Sequence, residues 1–263
     1  MTVGTVPATQ GRAHPSDDGA PTGALISLEH LGKSFGRGVP VLDDVNATIR
    51  RGEFVALLGA SGCGKSTLLN FIARLEPPTS GALEVPADGA AFMFQDPALF
   101  PWLSARGNVE LALKLSGVGR TERAARAAEL LELVHLGAAA DKRPHELSGG
   151  MRQRVALARS LAQERQVLLM DEPFAALDAI TRDLLHDELE RIWTETNRTI
   201  VFVTHNVREA VRLGQRVLLL SSRPGTVVAE WTVSGAHRTD PASAGELTGI
   251  ITNRLREEIR RHA

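Results

Sequence analysis

Residues 54–72 leave this chain little freedom in its choice of fold. An apolar run, Phe54-Val55-Ala56-Leu57-Leu58, leads directly into Gly59-Ala60-Ser61-Gly62-Cys63-Gly64-Lys65-Ser66, and Thr67-Leu68-Leu69-Asn70-Phe71-Ile72 continues with helical character. The turn meets the phosphate-loop pattern at every fixed position and lies between a strand and a helix, the setting that pattern requires. In such a loop successive backbone N–H groups point inward and wrap phosphates, and the helix adds its positive end. Lys65 then neutralises the terminal phosphates and the Ser66 hydroxyl ligates Mg²⁺. The plain alternative, an ordinary glycine-rich turn, does not account for the flanking strand and helix. Cys63 sits inside the loop, where either a small packing residue or a redox sensor can stand; a sensor needs an exposed thiol. As the single cysteine it forms no internal disulfide, which suits a reducing compartment.

Downstream, Val167–Met170, Ile200–Thr204 and Val217–Ser221 are short and almost wholly apolar. Parallel strands buried on both faces read this way. A helix over about Ala179–Thr196 lies between the first two, and strand-helix-strand alternation predicts an α/β core with a mainly parallel sheet. Residues 25–55 instead alternate apolar and polar, with turns expected at Gly32, Gly36-Arg37-Gly38 and Arg51-Gly52, so short antiparallel strands precede the core. Pro77-Pro78-Thr79-Ser80-Gly81 breaks the chain, and weak strands follow at Ala82–Val85 and Ala90–Phe94. Between Gln95 and Pro144 the pattern turns helical: Ala124, Ala127, Leu130, Leu131 and Val134 share one face of a helix over Thr121–Val134, with Thr121 placed to cap it. A terminal amphipathic helix carries Leu247, Ile250, Ile251, Leu255 and Ile259 on one side and packs by that stripe.

The first 24 residues, rich in Gly, Ala, Pro, Thr and Ser without an apolar core, read as a disordered tail and not as a signal peptide. No apolar stretch approaches the length of a membrane span, so any work at a membrane needs another anchor. A net charge of -1 over 263 residues gives no general attraction to nucleic acid or to anionic lipid.

Polar residues gather at the predicted strand ends. Val167-Leu168-Leu169-Met170-Asp171-Glu172 ends a buried strand in two carboxylates that need not share a task, because side chains alternate along extended backbone. Asp171 suits a metal, directly or through water. Glu172 is placed to hold and deprotonate an attacking water; a helix cap or a solvated acidic turn is the alternative. His205 follows the strand Ile200–Thr204, at the carboxyl edge where such sheets bind ligands, so it is either a γ-phosphate contact or a surface residue. Gln95 also ends a strand, and its amide suits Mg²⁺ or the attacking water.

A second glycine turn, Leu147-Ser148-Gly149-Gly150-Met151, opens a helix over Met151–Ala162. Ser148 is a good N-cap, and the helix presents its amides and positive end to an anion. It is either a capped helix and nothing more, or an anion site serving the phosphate loop of a second molecule. Arg152, Arg154, Arg159 and Arg165 make a cationic stretch. Interspersed acids and the lack of aromatics favour a solvated face over a nucleic-acid surface.

In this order, Gly59–Ser66, Gln95, Leu147–Met151 with Arg152-Gln153-Arg154, Val167–Glu172, Ala176-Leu177-Asp178 and His205 closely resemble the nucleotide-binding subunit of ABC transporters, from about Leu25 to Ser222. The resemblance implies a phosphate-loop NTPase core with a mainly parallel sheet, an antiparallel β subdomain and a helical insertion over about 96–150. It divides the chain into a tail (1–24), an ATPase domain (25–225) and a strand/helix extension (226–263). It further implies a dimer with two ATP molecules at the interface. Each is held by Gly59, Ala60, Ser61, Gly62, Cys63, Gly64, Lys65, Ser66 and Thr67 of one copy and by Ser148, Gly149 and Gly150 of the other, with Asp178 also at the nucleotide. Mg²⁺ falls to Ser66, Gln95 and Asp171, and catalysis to Glu172, His205 and Gln95. Phe35, in Lys33-Ser34-Phe35-Gly36, is assigned to stacking on adenine, against the plain reading of a core aromatic. Two positions depart from the family pattern: Met151 stands where Gln is usual, and Asn206 where an acid follows the histidine.

Phe94-Gln95-Asp96-Pro97-Ala98-Leu99-Phe100-Pro101-Trp102, Ile192-Trp193 and Ser222-Arg223-Pro224-Gly225 are similar to the importer ATPases for nitrate, sulfonates and taurine. In that group the residues after Gln95 meet a permease helix, so Trp102 either docks a partner or tucks into its own domain. The implied partners are a second copy of the chain, transmembrane permease subunits and, indirectly, a solute-binding protein, with no nucleic acid. The implied place is the cytoplasmic face of the cell membrane. The competing expectation is a soluble ABC ATPase unlinked to transport. Such proteins usually carry two cassettes or a long coiled-coil insertion.

Overall fold

A six-stranded sheet organises the molecule, seen in a computed structural model that describes residues 23–36, 38, 40–175 and 177–261. The expected tail therefore lies, apart from its last residues, outside the described residues, as does Ala176. The sheet is built from β3 (Phe54–Gly59), β5 (Ala90–Met93), β6 (Val167–Asp171), β7 (Thr199–Val203), β8 (Arg216–Leu220) and β9 (Val227–Thr232), in the order β5-β6-β7-β3-β8-β9. Its first five strands run parallel and β9 closes the edge antiparallel. Every residue of β3, β6 and β7 is buried, which is why these strands are continuous apolar runs.

A second sheet, antiparallel, comprises β1 (Ala24–Lys33), β2 (Leu42–Arg50) and β4 (Ser80–Glu84) in the order β2-β1-β4. Gly32, expected as a turn, is instead a paired residue of β1 opposite Ser80. A Cβ at Gly32 would lie 2.4 Å from Ser80 Oγ, so glycine is there for the close approach of β4 and not for a chain reversal.

The helical layer over the β5 side holds α2 (Ala105–Leu115), α3 (Arg120–Leu133) and α4 (Gly149–Leu161). In α3, Ala127 and Leu131 are buried and Val134 follows at the C-cap, but Ala124 of the expected face is exposed and Leu130 only half-buried; Gly119 is the N-cap and Thr121 lies within the first turn. Of the arginines expected to make a solvated face, Arg152, Arg154 and Arg159 instead turn to backbone carbonyls. Arg154 Nη1 donates to the carbonyls of Val134 and His135, both at 3.1 Å, and Arg159 donates to Pro97 O and Ala98 O at 2.7 and 2.8 Å. Arg152 Nη1 donates to Leu147 O at 2.7 Å. These guanidiniums satisfy carbonyls of the segments after α3 and β5 and before α4.

The apolar core beneath α2, α3 and α4 also takes in α5 (Ala179–Thr196), α6 (Val207–Leu213) and α8 (Pro241–Arg261), with α7 (Gly235–Thr239) beside α6 and α8, while α1 (Lys65–Ile72) packs on the opposite face of the sheet together with β1 and β2. Trp193 of α5 donates its indole N–H to Gly52 O at 2.8 Å and meets Phe54 edge-on, fixing that helix to the start of β3. Helix α8 buries Leu247, Ile251 and Glu258, but Ile250 and Ile259 are exposed, so its packing stripe is narrower than expected.

Candidate active site

The phosphate loop joins β3 to α1, and Lys65 is buried at its mouth. Its Nζ donates to Gly59 O at 2.9 Å and Ala60 O at 2.8 Å, which holds the ammonium within the loop. Cys63 Sγ lies 3.9 Å from the same Nζ. Burial pushes the Cys63 thiol up despite the neighbouring cation, the reverse of what a redox sensor requires. The packing role is the one its surroundings fit.

Asp171 and Glu172 face different surroundings, but a left-handed turn of the backbone at Glu172, not strand alternation, separates them. Asp171 is 8% exposed and hydrogen-bonded to the Ser66 side chain. Burial, with the Glu172 charge adding, raises its carboxyl above the ordinary range, while Ser66 and Lys65 oppose the shift. At Glu172 the backbone switches to φ 47, a left-handed conformation uncommon outside glycine. The ladder persists through Glu172 N to Val203 O at 3.0 Å, and Pro173 then ends it. The switch sends the Glu172 carboxylate to the sheet edge, where Oε2 accepts from Gln95 Nε2 at 3.4 Å and faces His205 Nδ1 at 3.4 Å. Gln95 follows β5, Glu172 follows β6 and His205 follows β7, so three adjacent strands deliver three separate motifs to one point. Behind Glu172 lies a cavity of about 60 Å³, lined also by Phe174, Thr204, His205 and Glu209. It is roomy enough for a water molecule.

Ser66 hydroxyl, Asp171 carboxylate and Gln95 amide form a donor set of hard oxygens. Among the described residues no group of three or more His, Cys, Asp or Glu could hold a metal ion. Mg²⁺ takes one or two protein carboxylates with phosphates and waters, and the Asp171 carboxylate with the Ser66 hydroxyl and the Gln95 amide oxygen is a set of that chemistry.

Ser148 caps α4, its Oγ accepting from Met151 N at 3.2 Å, and it is exposed. Gly149 and Gly150 open the helix, where backbone N–H groups have no partner inside it. Gln153, which the sequence did not single out, reaches from α4 to Gln95 O at 3.5 Å and links the second glycine turn to the strand-end cluster. Asp178 caps α5 through Thr181 N at 3.0 Å, and those hydrogen bonds hold its carboxyl below the usual range. Phe35 is 55% exposed with Lys33 Nζ 5.0 Å from its ring centre, so it is not a core aromatic. Arg182, Thr204 and Glu209 also lie beside this site, and no spacing in the sequence marked them.

An open groove of about 400 Å³ lies alongside, between the residues after β5 and α2, lined by Phe92, Phe94, Phe100, Leu111, Leu115 and Arg159 among others. Trp102 stands near it, 68% exposed, its ring centroid 5.4 Å from that of Phe100. It is not tucked into its own domain.

What this sheet edge can do is hold a triphosphate and set a water against it, which places the molecule among the phosphate-loop nucleoside triphosphatases. A family model described as "ABC transporter" matches residues 42–175. The chain is 47% identical over 251 residues to the taurine import ATP-binding protein TauB of Rhizobium johnstonii, covering 90% of this chain and 95% of that one. It is 49% identical over 203 residues to the nitrate import ATP-binding protein NrtD of a Synechocystis species, covering 74% and 76%. Among solved structures it is similar to a dimeric ATP-binding cassette in a post-hydrolysis state bound to ADP and Pi, with a TM-score of 0.72, 35% identity and coverage of 80% and 99%. The chain belongs to the ABC transporter family and is an ATPase of its importer group. A soluble ABC ATPase unlinked to transport is not the reading these import subunits support.

Proposed function

We propose that this subunit binds ATP between two copies of itself and uses its hydrolysis to drive uptake of a small anion: taurine, another aliphatic sulfonate or nitrate. The cargo follows from the relatives' names and from Phe94–Trp102, Ile192-Trp193 and Ser222–Gly225. We take 25–225 as the ATPase domain, with a helical subdomain over about 96–150, and 226–263 as its extension. The observation that carries the mechanism is the convergence of Glu172, Gln95 and His205 within 3.4 Å contacts at one sheet edge.

Gly59–Thr67 of one copy wrap the phosphates, Phe35 stacks on the base, and Ser148, Gly149, Gly150 and Asp178 complete the site across the interface. Ser66, Asp171 and Gln95 would hold Mg²⁺, which when bound neutralises the β- and γ-phosphate oxygens. Glu172 accepts a proton from the attacking water. Gln95 orients that water, and the exposed imidazole of His205 donates to the γ-phosphate. ATP shifts the dimer towards its closed form only by binding that form better, and the contacts from Ser148 of the second copy supply the difference. Closure then moves the groove by Trp102, where a permease helix docks at the cytoplasmic face of the membrane. Among the described residues no helix is long and apolar enough to cross a membrane, so attachment runs through that contact.

The test is reconstitution with co-expressed permease and binding protein in vesicles. Hydrolysis that rises with taurine, an alkanesulfonate or nitrate, and a Glu172→Gln complex that binds ATP without turnover, are the expected results. Stimulation by none of these solutes would remove the cargo assignment, and near-normal turnover of Glu172→Gln would remove the catalytic one.

A further inference from the structure

His205 is 68% exposed in its side chain, so little packing fixes its ring, and the turn carrying it has to aim it. That turn is tied down from both sides. Thr204 Oγ donates to Glu209 Oε2 at 2.6 Å, and Asn206 Nδ2 donates to Glu209 Oε1 at 3.3 Å. The backbone N–H of Asn206 donates to Thr204 Oγ at 3.0 Å, closing the turn on itself. Glu209 lies in α6 and is 7% exposed. A carboxylate so far removed from water requires partners of good geometry. Thr204 and Asn206 supply hydrogen bonds, and a cation from another segment adds its charge: Arg182 Nε of α5 lies 3.5 Å from Glu209 Oε1, an ion pair without a hydrogen bond. Arg182 Nη2 donates in turn to Leu177 O at 2.9 Å, immediately before Asp178.

We propose that Glu209 is a positioning residue for ATP hydrolysis. It holds His205 through the residues on either side and, by way of Arg182, ties that turn to the loop carrying Asp178. Asn206 belongs to this device: its amide donates to Glu209, where an aspartate would set a second carboxylate against the first. The proposal rests on the reading of His205 as the γ-phosphate contact. Phosphate binding at Gly59–Ser66 does not pass through Glu209, so the two functions separate.

Steady-state hydrolysis of Mg²⁺-ATP by the full chain tests it. Glu209→Gln keeps the side-chain shape and removes its charge. Thr204→Val removes one tie at a position without a buried charge. Each is expected to lower kcat roughly tenfold while KM for ATP stays within about twofold, the pattern of a misaimed catalytic group. In a His205→Ala background the Glu209→Gln change is expected to cost less than about twofold more, because residues acting as one unit are non-additive. Wild-type kcat in both single variants, a loss confined to KM, or a loss adding in full to that of His205→Ala overturns the proposal. A His205→Ala protein with wild-type kcat and Glu209 intact overturns the reading of His205 itself, a result told apart by the variant that gives it.

Discussion

Gly225 is a position where one methyl group reports on the phosphate loop. A Cβ there would lie 2.1 Å from the Cys63 carbonyl oxygen and 3.0 Å from Leu42 Cδ2. The residue cannot retreat, because its N–H donates to Val41 O at 2.8 Å and its carbonyl accepts from Asp43 N at 3.1 Å. Its own turn is further closed by Ser221 Oγ, which donates to Pro224 O at 2.7 Å and accepts from Thr226 N at 2.9 Å. Relief therefore falls on the other side of the contact, and Cys63 with its loop has to move by about 1 Å. Overpacking of that kind costs about 1–3 kcal/mol of stability, a drop of roughly 3–10 °C in Tm for a chain of this size. The larger effect is functional, since a displacement near 1 Å at a binding loop costs on the order of tenfold to a hundredfold. We expect Gly225→Ala to fold and to bind a fluorescent ATP analogue that much more weakly, measured well below its Tm. Gly245→Ala, where an added methyl meets nothing within 4 Å, is the control and is expected to bind as the unaltered protein does. Unchanged affinity in Gly225→Ala would show that the Ser221–Thr226 turn does not brace the phosphate loop.

Two further perturbations test other parts of the molecule. Trp102→Ala should leave the basal ATPase rate of the isolated subunit unchanged and abolish co-purification with the permease, because the ring is exposed and stands against Phe100 beside the groove; retained co-purification would refute its docking role. His186 is 3% exposed on α5, edge-on to Phe174, and burial with the nearby Arg212 charge holds its imidazole down to about 4, against weaker opposing pulls from Asp183 and Asp187. Its folded value is below the unfolded one, so the stability it contributes is present above pH 6.5 and lost as pH falls toward 4. That loss reaches about 2 kcal/mol by pH 5, read as a denaturant midpoint, and His186→Leu should flatten it; the same acid sensitivity in the variant would refute the assignment.

The buried sheet was legible because strands covered on both faces have to be apolar, and the bounds of α5 follow from Asp178 as its cap and Asn197 in the left-handed conformation at its end. The polar strand ends were legible for the same reason: polar residues directly after apolar runs stand out. Helix α2 was not, since its opening, Ala105-Arg106-Gly107-Asn108, carries little apolar period. Its buried Asn108 is accommodated only by the carbonyls of Phe100, Leu103 and Ser104 and by the N–H of Phe100, a fit that emerges in three dimensions. The arginines of α4 misled for a related cause. Composition counts charges, but where a guanidinium donates depends on which loop carbonyls fold beside it. The tie between Glu209 and Arg182 joins residues 27 positions apart in sequence with no shared pattern, so the reason for a buried carboxylate at that position became visible only with its partners.

The shared nucleotide is tested most directly by sedimentation velocity of the Glu172→Gln chain in Mg²⁺-ATP, with and without Ser148→Arg. The account predicts a dimer retaining one ATP per chain for Glu172→Gln alone. With Ser148→Arg added, it predicts a monomer that still binds ATP through Gly59–Ser66. A Ser148→Arg chain that dimerises just as tightly, or a Glu172→Gln chain that stays monomeric when saturated with ATP, would contradict it.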